Sequence, residues 1–97
     1  MNLPIKISEN AFAEVKNIVR NKGIDVNMGL RIGVKGSGCS GNSFYLGFDN
    51  SKDTDGVFNI DNVKIFIEKK HFLYLVGMKL DFVDNDTQRG FTFVTEN

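Results

Sequence analysis

The 97-residue chain has one cysteine, one histidine and no net charge, with twelve basic residues balancing twelve acidic ones. A single cysteine cannot close an intrachain disulfide, which fits a reducing compartment. Without a surplus of Lys and Arg there is no counterion-release drive toward nucleic acid and no polybasic route to a membrane surface. No apolar run approaches the ~20 residues that a membrane span needs. Met1-Asn2-Leu3-Pro4-Ile5-Lys6 has no basic region followed by an apolar segment, so no secretory signal is visible. The expectation is a cytoplasmic protein that uses neither nucleic acid nor membrane. The length fits one domain over 1–97 and leaves no room for two independent cores.

Core material is nonetheless ample: 41% of residues are hydrophobic and nine are Phe. Leu3-Pro4-Ile5-Lys6-Ile7 alternates and predicts a short edge strand, a place where Pro is tolerated. Ser8 reads as a helix N-cap, with Glu9 favouring the dipole in the first turn. Ala11, Phe12, Val15, Ile18 and Val19 follow the helical period as one buried stripe, and Lys22-Gly23 ends it. The period then changes to two. Leu30, Ile32 and Val34 alternate with Arg31, Gly33 and Lys35, predicting a strand with one wet face, and Phe44, Leu46 and Phe48 repeat the pattern on the next. These two triplets are expected to share one core, onto which the Phe12, Val15 and Val19 stripe packs.

Asp49 to Gly56 reads as a polar turn segment, followed by strands at Val57-Phe58 and Val63-Lys64-Ile65-Phe66-Ile67. Glu68 to Val76 predicts a short helix packing Phe72, Leu75 and Val76, ended by Gly77. Met78, Leu80 and Phe82 alternate, Asp84-Asn85-Asp86 opens a turn, and Phe91-Thr92-Phe93-Val94 is a last strand. Several short strands around a helix imply a mainly β, α+β fold of packed sheets with one N-terminal and one short helix.

Chemistry concentrates in Gly36-Ser37-Gly38-Cys39-Ser40-Gly41, with three glycines in six residues between two strands. A phosphate cradle needs a strand-to-helix entry and usually a Lys-Ser/Thr pair, and here a strand follows. The alternatives are a reactive thiol presented on a loop, or a cysteine that is simply a small buried hydrophobe. His71 lies beside Lys69 and Lys70 and reads as a half-exposed surface histidine; a ligand role requires that it meet Cys39 in the fold. Asp49, Asp53, Asp55 and Gly56 fail the calcium-loop template, which lacks its first acid and its bidentate Glu here. A solvated turn accounts for these acids. No hydrolytic set is assembled, and no enzyme activity is expected.

The glycine loop with its flanks resembles the A-type iron–sulfur cluster carriers, the HesB-like or IscA-like family. Ile7-Ser8-Glu9-Asn10-Ala11 resembles the family's opening strand-to-helix junction. Leu30 through Gly41 is close to the signature around its first cysteine, and Phe44-Tyr45-Leu46-Gly47-Phe48-Asp49 is similar to the strand after it. Tyr74 through Phe82 is similar to the family's Leu-x-Gly…Asp-Tyr stretch, and Gly90-Phe91-Thr92-Phe93 to the strand before its tail. The resemblance implies a HesB-like two-sheet sandwich or pseudobarrel that forms homodimers or larger oligomers. It also implies binding of iron or a [2Fe–2S] cluster, and its delivery to apo-proteins with the help of iron–sulfur assembly partners. The family uses three cysteines, one in the glycine loop and two in a C-terminal Cys-Gly-Cys. Only the first carries over, onto Cys39, as metal and cluster ligand. Thr95-Glu96-Asn97 stands where the family continues toward that tail, so the implied site is incomplete in this chain, with two thiolates per dimer against the four ligands a cluster takes. The alternative expectation is a degenerate HesB-like interaction module in which Cys39 is incidental.

Overall fold

A computed structural model describes residues 3–35 and 43–95. Among these residues, seven strands and two short-to-medium helices follow one another as β1 (Lys6–Ile7), α1 (Glu9–Lys22), β2 (Gly29–Lys35), β3 (Ser43–Asp49), β4 (Asp55–Ile60), β5 (Val63–Glu68), α2 (Phe72–Leu75), β6 (Met78–Asp84) and β7 (Arg89–Thr95), with a 3₁₀ turn, Lys69–His71, leading into α2. The fold is mainly β, with two sheets and two helices. Internal contacts divide the chain into two compact units: Asp25–Tyr74, and the chain up to Ile24 together with the chain from Leu75 onward.

The first unit is a four-stranded sheet in the order β3-β2-β5-β4. β2 pairs antiparallel with β3 through Leu30↔Phe48, Ile32↔Leu46 and Val34↔Phe44. The two apolar triplets therefore do share a face, as alternation requires. They are not equally covered. Leu30 and Ile32 are buried, Val34 is half-buried, and Phe44, Leu46 and Phe48 are all half-buried, because β3 is an edge strand while β2 is central. The wet face expected for β2 is also absent: Arg31 and Gly33 are buried. Arg31 is taken up by acids, described below. Gly33 lies under the ring of Tyr45, its partner on β3, at a distance that leaves no room for a Cβ. β4 and β5 form a hairpin closed at Ile60↔Val63, whose two turn residues, Asp61 (φ 49°) and Asn62 (φ 68°), both lie in the left-handed region that such tight turns require.

In the second unit, β1, β6 and β7 form a three-stranded sheet with β1 and β6 parallel. β1 is confined to Lys6–Ile7, shorter than the alternation of 3–7 suggested, and follows Pro4. The Ser8 hydroxyl caps α1 by accepting from the Ala11 N–H (3.1 Å) and donates to the Asp81 carboxylate on β6 (2.6 Å). Gly23, at φ 62°, ends the helix in the left-handed conformation. The stripe of α1, centred on the buried Ala11 and Val15, packs on β6. Phe82 and Phe91, directly opposite across β6 and β7, meet edge to face at 5.0 Å.

The expected helix over 68–76 is shorter. Glu68 closes β5, and only Phe72–Leu75 is α-helical. Phe72 packs near Phe58 (6.1 Å between ring centres) and Leu75 is buried, but Val76 is exposed, as are Leu73 and Tyr74. No helix among the described residues is long and apolar enough to cross a membrane.

Candidate functional site

Cys39, with its segment Gly36–Gly41, lies outside the described residues. Its two flanks do not. β2 and β3 are paired up to Lys35↔Ser43, so residues 36–42 join the ends of an antiparallel pair. Beside that end, the pairing of β2 with β5 covers only Leu30↔Ile65 and Arg31↔Phe66. Val34 lies past this ladder, and its N–H instead donates to Nδ1 of His71 at 3.4 Å. His71 is half-buried, as the sequence suggested, yet it is not an idle surface group: it takes over where β5 leaves off. No spacing rule could reveal this, because 37 residues separate the two partners. Lys35, the last residue of β2, places its ammonium 5.5 Å over the Tyr45 ring.

The other end of β2 carries the principal charge cluster of the first unit. Arg31 donates to Asp55 through both terminal nitrogens (2.8 and 2.7 Å), to Asp49 through Nε (3.1 Å), and to the Asn50 carbonyl (2.8 Å). The Arg31 hydrogen bond holds the Asp55 carboxyl below the ordinary carboxylate range against the opposing effect of burial, with further help from the Lys52 N–H. Asp49 is also held low, chiefly by the Asn50 N–H. The reading of Asp49 to Gly56 as a solvated turn therefore needs correction. Asp55 and Gly56 are buried and open β4, and Asp55 is the counterion of a buried arginine. Such a pair joins strands; it is not a set of free metal donors. Among the described residues no three His, Cys, Asp or Glu side chains come together as a metal site.

In the second unit, an open groove of about 440 Å³ runs between α1 and β6, lined by Asn10, Glu14, Asn17 and Arg20 on the helix and Phe82 and Asp84 on the strand. Arg89 reaches Glu14 (3.5 Å) and Asp84 (3.6 Å) and stacks over Phe82. Its acids are thus already paired with a cation of the same unit.

Comparison with known proteins decides what this scaffold is. Residues 3–97 match the model of the family described as iron-sulphur cluster biosynthesis. The chain belongs to that family. The iron-binding protein IscA of Pectobacterium atrosepticum is 40% identical over 96 residues, covering 98% of this chain and 88% of the relative. The IscA of Yersinia enterocolitica is 41% identical with the same coverage. Among solved structures, Escherichia coli SufA, described as involved in biosynthesis of iron-sulfur clusters, superposes with a TM-score of 0.75 at 24% identity, over 94% of this chain and 79% of SufA. A crystal structure of IscA with the [2Fe-2S] cluster gives 0.73 at 20% identity, over 94% and 84%. An Aquifex aeolicus protein gives 0.69 at 34% identity, over 96% and 92%. The iron–sulfur family and its fold are thus as the residue resemblance implied.

Proposed function

We propose that this chain is an iron–sulfur cluster assembly factor that binds iron or a [2Fe–2S] cluster through Cys39 and delivers it to apo-proteins. The observation that carries this reading is the near full-length identity, about two residues in five, to proteins named as iron-binding. The iron or cluster is cargo. What the chain supplies is a thiolate, a soft anionic donor suited to iron–sulfur chemistry, on a segment joining two strand ends that are fixed by pairing. A binding group on a connection borne by a rigid sheet is a common division of labour. A cluster takes four ligands, so Cys39 of one copy is one member of a set, and a homodimer brings two such thiolates together. The family model spans both compact units, which supports treating them as one functional domain. The role is carriage without catalytic turnover, in the cytoplasm.

A transfer assay tests delivery. Protein loaded anaerobically with iron and sulfide is mixed with an apo-ferredoxin, and the holo-ferredoxin signal is followed by circular dichroism. The proposal predicts faster appearance from the loaded protein than from equal free iron and sulfide, and none of that acceleration from Cys39→Ser taken through the same loading procedure. Equal rates from all three sources contradict carriage.

A further inference from the structure

Leu73 and Tyr74, on α2, are 88% and 53% exposed, the only adjacent pair of exposed large apolar side chains among the described residues. Single exposed apolar residues are ordinary, whereas neighbours that form a patch mark a contact surface. The pair is firmly mounted. Phe72, the residue before it, lays its ring on Gly56, where a Cβ would come within 2.6 Å of the ring, and beside Phe58. Lys70, Leu73 and Tyr74 are spaced by three and four, so they share the face opposite Phe72. Side chains held out by a packed neighbour lose little further freedom on contact, and tyrosine is among the types enriched where binding energy concentrates.

The rim of this pair is basic. Lys69 and Lys70 lie in the turn that leads into α2, both are exposed, and Lys69 has no ion pair among the described residues. Lys70 and Lys52 divide the carboxylate of Glu68 between them, at 3.6 and 3.5 Å. With the exposed Asp53 beside Lys52 counted as well, three lysines stand against two acids.

We propose that Leu73 and Tyr74, rimmed by Lys69 and Lys70, form a docking surface for an acidic apo-protein that receives the cargo. Casting the partner as a recipient rests on the function proposed above. An apolar centre with a charged rim is the ordinary anatomy of a protein contact, and the rim charges speed encounter with a partner of opposite sign. A second copy is a poor occupant, because a two-fold contact sets the lysines against themselves. A lipid surface is a poor one too: binding there scales with buried apolar area, and α2 is a single turn.

An apo-ferredoxin of strongly negative net charge is the probe, and binding is read on unloaded protein so that it does not depend on iron. In isotope-labelled protein followed by NMR, adding the probe at low salt should shift the amides of Lys69 through Tyr74, and raising the salt should weaken binding. Leu73→Ser/Tyr74→Ser should weaken it about five- to twentyfold with the salt dependence kept. Lys69→Glu/Lys70→Glu should weaken it by about as much at low salt and flatten the salt dependence. Val26→Ser, at an exposed valine elsewhere in the same unit, should leave both unchanged. Shifts confined to other residues, or wild-type affinity in both double variants, overturn the docking surface. So does unaltered binding of the probe together with lost self-association, or with lost sedimentation on phosphatidylserine vesicles, which assigns the patch to a second copy or to lipid. In the transfer assay, both double variants should take up iron as the wild type does, yet need more apo-ferredoxin to reach half the limiting rate. A wild type that binds the probe through this patch but loads no iron supports the surface and contradicts the function proposed above.

Discussion

At the amino end of β2, Arg31 makes four hydrogen bonds to Asp49, Asp55 and Asn50, joining the strand to the connection after β3 and to β4. At the carboxyl end, a single 3.4 Å bond from Val34 to His71 stands in for the missing β5 partner. Both ends are also paired with β3, but only the amino end adds a buried ion pair to that ladder. Local stability follows the number of buried contacts and satisfied backbone groups. The difference teaches that in this fold the two ends of one strand are secured by different chemistry: a buried ion pair at one, a side-chain acceptor for a backbone N–H at the other.

Breaking the ion pair should have the largest effect. Asp55→Ala strands a buried guanidinium with only the half-exposed Asp49 and a carbonyl for company, and removing one partner of a buried pair costs roughly 3–5 kcal/mol; urea unfolding measures it. The acid limb of stability should change with it. The Asp55 carboxyl is held below its ordinary 3.8, so its contribution is present above that value and is lost as pH falls through the lower, folded value. Wild-type stability should therefore decline at acid pH more steeply than that of Asp55→Asn. His71→Ala should cost only about 0.5–1.5 kcal/mol, as for one ordinary hydrogen bond. A His71→Ala loss as large as that of Asp55→Ala would erase the contrast between the two ends.

The glycines of β2 sharpen it. A Cβ on Gly29 meets the Lys64 carbonyl oxygen and the Phe66 ring at 2.8 Å, and backbone there cannot withdraw. Gly29→Ala should cost about 1–3 kcal/mol by overpacking, whereas Gly33→Ala meets only the outer part of the Tyr45 ring, which can swing aside, and should cost less. Thermal melts of the two variants decide the order, and a reversed order counts against a stiff amino end. Smaller still, and in the other unit, Ser8→Ala loses the α1 cap and the bond to Asp81 and should cost about 1 kcal/mol.

Local rules made much of the scaffold legible. The Ser8 cap, the Gly23 stop, the helical period of α1 and the cross-strand register of the triplets follow from spacing and are present. The burial expected of them is only partial: Phe12, Ile18 and Val19 are half-buried on a helix that packs on β6, and Phe44, Leu46 and Phe48 are half-buried on an edge strand. What spacing could not supply was partnership across the sheet. Arg31 looked like a wet-face residue and Asp55 like a solvated turn acid because their 24-residue separation hides that each neutralises the other. Asp61-Asn62 is a pair suited to a tight hairpin, and both residues adopt the left-handed conformation such a turn needs. At the candidate site, the thiol was visible as an oddity of composition, and its chemistry came from resemblance to a family, not from geometry. His71 was visible only as a residue type; its contact with β2 depends on where β5 ends, which no local pattern encodes.

The most direct test of the account is iron content per chain after anaerobic incubation with iron and sulfide in the presence of thiol, measured together with charge-transfer absorbance for the wild type and Cys39→Ser. The account predicts iron and visible absorbance in the wild type, weak enough to fade in air or with a chelator, and loss of both in Cys39→Ser. Absorbance and iron that survive Cys39→Ser, or a wild type that takes up no iron under these conditions, contradict it.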